Sequence, residues 1–216
     1  MSQRAYYYKE ELWGRPEVLE FVNDLKKSDT NFSLIDLGSS WNPFSLDYLT
    51  HTFDLNPRYH PNVHAFEGDL NNYEDWVQLF NYVEQHGKFS FCNCTHTLED
   101  IAYPVAALKY IPRIAKQGFI AVPSKYWELQ RRDLMRGGHH HRWIFDHKDN
   151  NLIAYPKINL IEYMTPYQEM DEIIQKNSFL ELRLFWKDTI DFEVINNDYL
   201  GPSFQDVINM YHNLMP

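Results

Sequence analysis

Residues 33–43 read SLIDLGSSWNP: a short apolar run through Asp36 and Leu37, then Gly38, then small polar residues. A second strand-like run follows at 51–57, HTFDLNP, with Asp54 near its end. An apolar strand, a tight glycine turn and an acidic residue closing the next strand form a nucleoside-binding arrangement in a doubly wound α/β sheet. The glycine lets a ligand approach the backbone, and the carboxylate accepts hydrogen bonds from ribose hydroxyls. Gly38 alone reads first as a plain strand-to-helix turn. Asp54, and Asp69 after the next strand, point beyond that turn to a nucleoside-type ligand.

Outward from this stretch, strands and helices alternate. Arg15–Lys27 has helical apolar spacing, a proline in its first turn and lysines at its end, which predicts a helix. Ser33–Leu37, Thr52–Leu55, Val63–Phe66, Phe89–Thr95 and Gly118–Val122 read as strands. Pro43–Leu49, capped by Asn42, Asn72–His86 and Pro104–Ala115 read as helices. Glu99 and Asp100 are expected to favour the start of the last of these, as acidic residues near a helix N-terminus do. Alternation of this kind predicts a mostly parallel sheet with right-handed crossovers. Near the end, Leu180–Trp186 and Ile190–Ile195 flank Lys187-Asp188-Thr189 and predict an antiparallel hairpin at the sheet edge.

The chain has 216 residues, 44% hydrophobic and 16% aromatic, which is enough for one domain with a substantial core. Twenty Lys and Arg face thirty Asp and Glu, for a formal charge of −10. That balance argues against a nucleic-acid partner held through phosphates; the basic cluster Arg131, Arg132 and Arg136 is local. Cys92 and Cys94 are separated by one residue, too close for an unstrained mutual disulfide. They read as reduced buried thiols of a cytoplasmic protein. The opening residues show no apolar signal-peptide core, and no run approaches membrane-spanning length. Tyr6, Tyr7, Tyr8 and Trp13 read as packing residues rather than a base-stacking platform.

IDLG (35–38), FDLNP (53–57), EGDL (67–70), CTHTLEDI (94–101) and AKQGFIAVPS (115–124) occur in that order. In this the chain resembles class I S-adenosylmethionine-dependent methyltransferases of the broad methyltransferase type 11 kind. CTHTLEDI and VPS, followed by HHHRWIF (139–145), also resemble small methyltransferase-like proteins often associated with glycan or lipopolysaccharide synthesis. The resemblance implies a Rossmann-like sheet of seven strands. It implies S-adenosylmethionine as cofactor and methyl transfer to a small-molecule acceptor, with a glycan or its precursor as the expected class. It implies that Asp36, Gly38 and Ser39 frame the methionine end and that Asp54 binds the ribose. Asp69 and Leu70 would meet the adenine, and Thr95 and His96 would lie beside the sulfonium and the acceptor. The family's loop usually carries G-x-G-x-G, whereas Gly38 stands alone before Ser39-Ser40-Trp41. A binding or scaffold protein that has lost the cofactor is therefore one rival reading. A non-methylating enzyme using the histidine cluster to hold a metal is another.

His96, at a strand end, could accept a proton from an acceptor hydroxyl or amine, or simply pack in its turn. His139–His141 lie too far inside the chain to be a tag. In an extended segment at most His139 and His141 share a face, with only His147 near them in sequence, so no metal is expected. His140, His141, Arg142 and Trp143 suit an acceptor pocket for a sugar, carboxylate or phosphate-bearing molecule, with His140 and His141 expected to act beside His96 in catalysis and Arg142 and Trp143 to bind the substrate, or they form an ordinary loop around a buried tryptophan. The expected organisation is one domain over 1–216, with a helical N-terminal segment over 1–30 and an acceptor-side insertion over 125–165.

Overall fold

The computed structural model describes residues 3–9, 15–39, 43–44, 46–132, 135–158, 172 and 179–195. Asn42, proposed as a cap, Trp13 and the 159–165 end of the expected insertion lie outside them. Seven strands form the main sheet: β1 (Arg4–Tyr8), β2 (Leu34–Leu37), β3 (His51–Asp54), β4 (His64–Glu67), β5 (Phe91–Thr95), β6 (Gln117–Pro123) and, later in the chain, β11 (Glu181–Lys187). Their order is β1-β11-β6-β5-β2-β3-β4. The five strands from β6 to β4 are parallel, while β11 runs antiparallel to both its neighbours.

Period-2 alternation along the central strands divides the core in two. Leu34, Phe91, Phe119 and Ala121 pack with Val18 and Val22 of α1 (Pro16–Ser28). Ile35, Cys92, Cys94, Ile120 and Val122 pack on the other face with Trp76 and Leu79 of α2 (Tyr73–His86) and Leu108 and Ile111 of α3 (Pro104–Ile114). Strands buried on both faces need apolar residues at nearly every position, which is why these segments read as continuous apolar runs. Both cysteines are free and buried.

Beyond β6 come α4 (Lys125–Leu129), the short ribbon β7 (Arg131–Arg132) and β8 (Met135–Arg136), and the antiparallel pair β9 (Trp143–Lys148) and β10 (Asn151–Pro156). This region lies against the β5–α3 connection, where the Arg142 and Trp143 amides both donate to the Glu99 carbonyl, at 2.6 and 3.3 Å. β12 (Phe192–Val194) completes a second sheet by pairing in parallel with β10.

Three expectations are corrected. The C-terminal hairpin does not form: both sides of β11 are taken, by β6 and β1, so the chain after Lys187 pairs elsewhere. The described part of Pro43–Leu49 is a turn and bends rather than a helix. Within the segment expected to be helical over 1–30, residues 4–8 form the edge strand β1. Its tyrosines do pack. The Tyr6 hydroxyl donates to Glu17 at 3.3 Å, Tyr7 hydrogen-bonds Asp146, and the Arg183 guanidinium stacks 3.4 Å over Tyr8.

Candidate functional site

The parallel strands end together at a cleft of about 340 Å³. Its walls are Gly38 after β2, Asp54 and Leu55 at the end of β3, Gly68 to Asn71 after β4, and His96, Thr97, Asp100 and Ile101 after β5. Open parallel sheets place ligands at this end. Backbone bonds fasten the strand ends together: the Gly38 amide donates to Phe53 and the Gly68 amide to Asp54, each at 2.9 Å.

Gly38 is required twice over. Its φ is +70°, and a Cβ there would stand 2.3 Å from the Thr97 hydroxyl oxygen, inside any allowed contact. Gly68 is equally tight, since a Cβ would meet Asp75 at 2.7 Å and the Phe53 ring at 2.8 Å. Asp54 accepts from the Asn56 amide at 2.9 Å. Asp69 accepts from the amide and the side chain of Asn71, both at 2.8 Å. Leu70 is buried, and its carbonyl receives the Trp76 indole N–H at 2.9 Å. Thus Gly38, Asp54, Asp69, Leu70 and His96 all lie on one cleft.

Asp36 and Thr95 do not. Asp36 is buried under the loop after β2, where its carboxylate accepts from the Phe44 amide at 2.6 Å and from Asn93 Nδ2 at 2.7 Å. Burial lifts its carboxyl to about 6, against those hydrogen bonds. Through the Phe44 amide it braces the loop after β2. Thr95 Oγ1 accepts from Asn93 Nδ2 at 3.4 Å, on the same side as Asp36. Thr97 takes the cleft position because the chain turns at His96, whose φ is +50°. Ser39 is half-buried and outside the cleft lining.

His96 reaches the cleft but is not poised as a base. Nε2 lies 2.8 Å from Glu181 Oε1 and Nδ1 lies 3.3 Å from Glu99 Oε1. Burial pushes the imidazolium down, but hydrogen bonds and charge from Glu181 and Glu99 outweigh it and raise the group to about 9. A ring held as a cation, both nitrogens facing carboxylates, has no lone pair for an acceptor proton. Glu181 is buried and is itself bridged by Arg15 at 2.8 Å and Arg183 at 2.7 Å. Burial works against its ionisation, yet these cations and His96 hold it down at about 2. Arg183 also pairs with Glu17. This network escaped sequence reasoning. Its one signal was Glu181 and Arg183 alternating with leucines on one face of β11, ahead of a terminal Lys187.

The histidine segment meets the cleft rim. Asp100 Oδ1 lies 3.7 Å from Nε2 of His140 and 3.7 Å from Nε2 of His141. Residues 139 and 140 form a turn rather than an extended segment, so neighbouring rings converge and the geometric ground for expecting no metal does not hold. His141 Nδ1 is hydrogen-bonded to buried Glu128, which Lys157 pairs with at 2.8 Å. Burial lowers the His141 imidazolium and Glu128 more than restores it, so the net shift is upward. Arg142 is exposed. Trp143 is 3% exposed in the core and donates its indole N–H to the Ile101 carbonyl at 3.0 Å, so it supports the cleft wall and presents no face to an acceptor. Glu99 and Asp100 cap no helix, since α3 starts only at Pro104, after Tyr103.

No protein-family model and no curated protein matches the chain. Among solved structures, the N-terminal domain of EvdMO1 in the presence of SAH and D-fucose is 9% identical, with a TM-score of 0.39 over 84% of this chain and 91% of that one. The MycE methyltransferase of the mycinamycin biosynthetic pathway, in complex with Mg and SAH, is 10% identical, with a TM-score of 0.42 over 92% of this chain and 55% of that one. A cyclopropane-fatty-acyl-phospholipid synthase-like protein from Lactobacillus casei is 9% identical, with a TM-score of 0.35 over 83% and 94%. Likenesses of this size carry no argument about function. Among the described residues, no helix is long and apolar enough to cross a membrane.

Proposed function

We propose that this chain is an S-adenosylmethionine-dependent methyltransferase acting on a small-molecule acceptor, with a glycan or glycan precursor as the favoured class. The observation that carries the proposal is the convergence of Gly38, Asp54 and Asp69, from three successive strand ends, on one cleft. Two carboxylates and a glycine backbone on the cleft wall suit a ribose, an adenine amine and a cationic methionine end. Methyl transfer from a sulfonium is an in-line displacement that asks mainly for alignment. His96 is then a positioning residue that ties the β5 end to Glu181, and proton removal from the acceptor falls to other groups.

Asp100, His140 and His141 at the rim, with exposed Arg142 next in the chain, suit a hydroxyl-rich acceptor. Residues 1–216 act as one domain, with 125–165 as its acceptor side. Two buried free thiols fit a reducing, cytoplasmic setting, and the net negative charge disfavours a nucleic-acid partner.

Calorimetric titration with S-adenosylhomocysteine tests the cofactor. Saturable binding at one molecule per chain is expected, and no detectable binding at millimolar ligand overturns it in favour of a binding or scaffold protein, the reading suggested by the single-glycine loop. Arg142→Ala should leave that affinity unchanged while lowering turnover of a glycan acceptor, because an exposed rim side chain touches the acceptor and not the cofactor.

A further inference from the structure

We propose that Asp100, His140 and His141 bind a first-row divalent transition metal at the rim of the cleft. One ligand atom from each of the three residues lies within 4.8 Å of the other two. Asp100 Oδ1 is 3.7 Å from each imidazole nitrogen. In a tetrahedral zinc site with bonds of about 2.0–2.1 Å, neighbouring ligand atoms stand about 3.4 Å apart. Both distances to Asp100 are within about 0.3 Å of that spacing.

A second observation is independent of those distances. His141 is aimed from behind: its Nδ1 is hydrogen-bonded to Glu128, a fully buried carboxylate, and Lys157 holds the other oxygen of Glu128 at 2.8 Å. A buried carboxylate on one ring nitrogen fixes which nitrogen is left to face outward and makes it a better donor, the arrangement that orients metal-bound histidines. The ring also stacks on Trp127, at 5.6 Å between centroids, which further limits its rotation. The same turn brings the His140 ring beside it, 4.4 Å away and at 79°, so the two Nε2 atoms approach Asp100 from different directions.

Two imidazoles and one carboxylate form a borderline donor set, suited to zinc, manganese, iron or cobalt and poorly suited to magnesium. Three protein ligands leave at least one coordination position open, the mark of a reactive rather than a purely structural site. Asp100 lines the cleft and His140 is exposed, so the open position is reachable by solvent and by a cleft ligand. Its use rests on the methyl-transfer reading above. An acceptor hydroxyl oxygen coordinated there would give its O–H proton to solvent more readily, and that oxygen would take the methyl group as the S–CH₃ bond breaks to leave the neutral thioether. The metal would thus supply the deprotonation that His96, held as a cation, cannot.

The test is a zinc titration of tag-free, chelator-stripped protein in competition with a chromophoric chelator, with no S-adenosylmethionine present. One equivalent of Zn²⁺ per chain is expected. Asp100→Ala and His140→Ala, both at exposed positions that leave the fold intact, should each weaken it at least about tenfold, and Glu128→Gln by about 10–100-fold. His139→Ala should change nothing, because His139 is not in the cluster, and millimolar Mg²⁺ should not displace the zinc. Less than a fifth of an equivalent bound, or zinc affinity equal to the wild type in both Asp100→Ala and His140→Ala, overturns the site. Displacement by Mg²⁺ overturns the metal class. Zinc bound as expected by a chain that fails to bind S-adenosylhomocysteine keeps the metal site and removes the methyltransferase; the converse keeps the methyltransferase and removes the metal.

Discussion

At the residue scale, the site rests on positions where one atom decides. Gly38 combines a φ of +70° with a Thr97 hydroxyl 2.3 Å from where a Cβ would be. Gly38→Ala should cost about 1–2 kcal/mol for the left-handed conformation and about 1–3 kcal/mol for overpacking. A drop in urea midpoint together with lost S-adenosylhomocysteine binding is the expected pair of results. Asp54 lies on the same cleft, and Asp54→Ala should weaken S-adenosylhomocysteine by about 1–3 kcal/mol through lost charged hydrogen bonds to the ribose. Unchanged affinity in calorimetry would make Asp54 a turn residue that accepts from the Asn56 amide and binds no ribose. Asp36 shows the limit of reading one residue at a time. It stands two residues before Gly38, yet alternation along β2 turns it into the α1 face, where it holds the loop.

At the scale of elements, β11 does more than finish the sheet. It carries Glu181 and Arg183, which tie α1 (through Glu17), the segment just before it (through Arg15) and the β5 end (through His96) into one charged network. Glu181→Gln would leave Arg15, Arg183 and His96 without their shared anion. Breaking a buried pair on one side costs about 3–5 kcal/mol, readable as lost unfolding free energy in urea.

The pH dependence of that network follows from the two shifted groups. His96 is raised from 6.5 to about 9, so its contribution is complete below pH 6.5 and is lost as pH rises toward 9. Glu181 is lowered from 4.5 to about 2, so its contribution is complete above pH 4.5 and is lost as pH falls toward 2. Relative to wild type, His96→Gln should therefore flatten the fall in melting temperature between pH 6.5 and 9. A variant whose alkaline limb matches the wild type would show that His96 is not protonated in the folded protein.

At the scale of the molecule, stability is graded across the main sheet. β2 and β5 are paired on both sides and packed on both faces, whereas β4 is an edge strand with three of four residues exposed. Amide exchange should be slowest in β2 and β5, where opening needs the whole core to yield, and at least about tenfold faster in β4, where local fraying suffices. Equal protection across the sheet would mean that β4 opens only with the global unfolding. The second sheet is built from β9, β10 and a strand more than thirty-five residues further on, and it fastens the histidine segment against the β5–α3 connection.

The sequence by itself determined the elements whose information is local. Five parallel strands and three helices are legible within a residue or two, because apolar runs, a first-turn proline and turn residues act over a few neighbours. The cleft positions of Gly38, Asp54, Asp69 and His96 were legible for the same reason: each closes a strand, and strand ends in a parallel sheet share one edge. What pairs with β11 was not legible, since a short turn between two strand-like runs suggests a hairpin and only the sheet shows both sides of β11 already filled. The state of His96 was decided by Glu181, 85 residues away, a carboxylate without which a strand-end histidine reads as a base. The histidine run looked dispersed because neighbouring side chains diverge along an extended chain. A turn in that segment and Asp100, brought over from the β5–α3 connection, converge it. Charge contacts between distant residues leave no periodicity in a sequence, and so only the tertiary structure could place them.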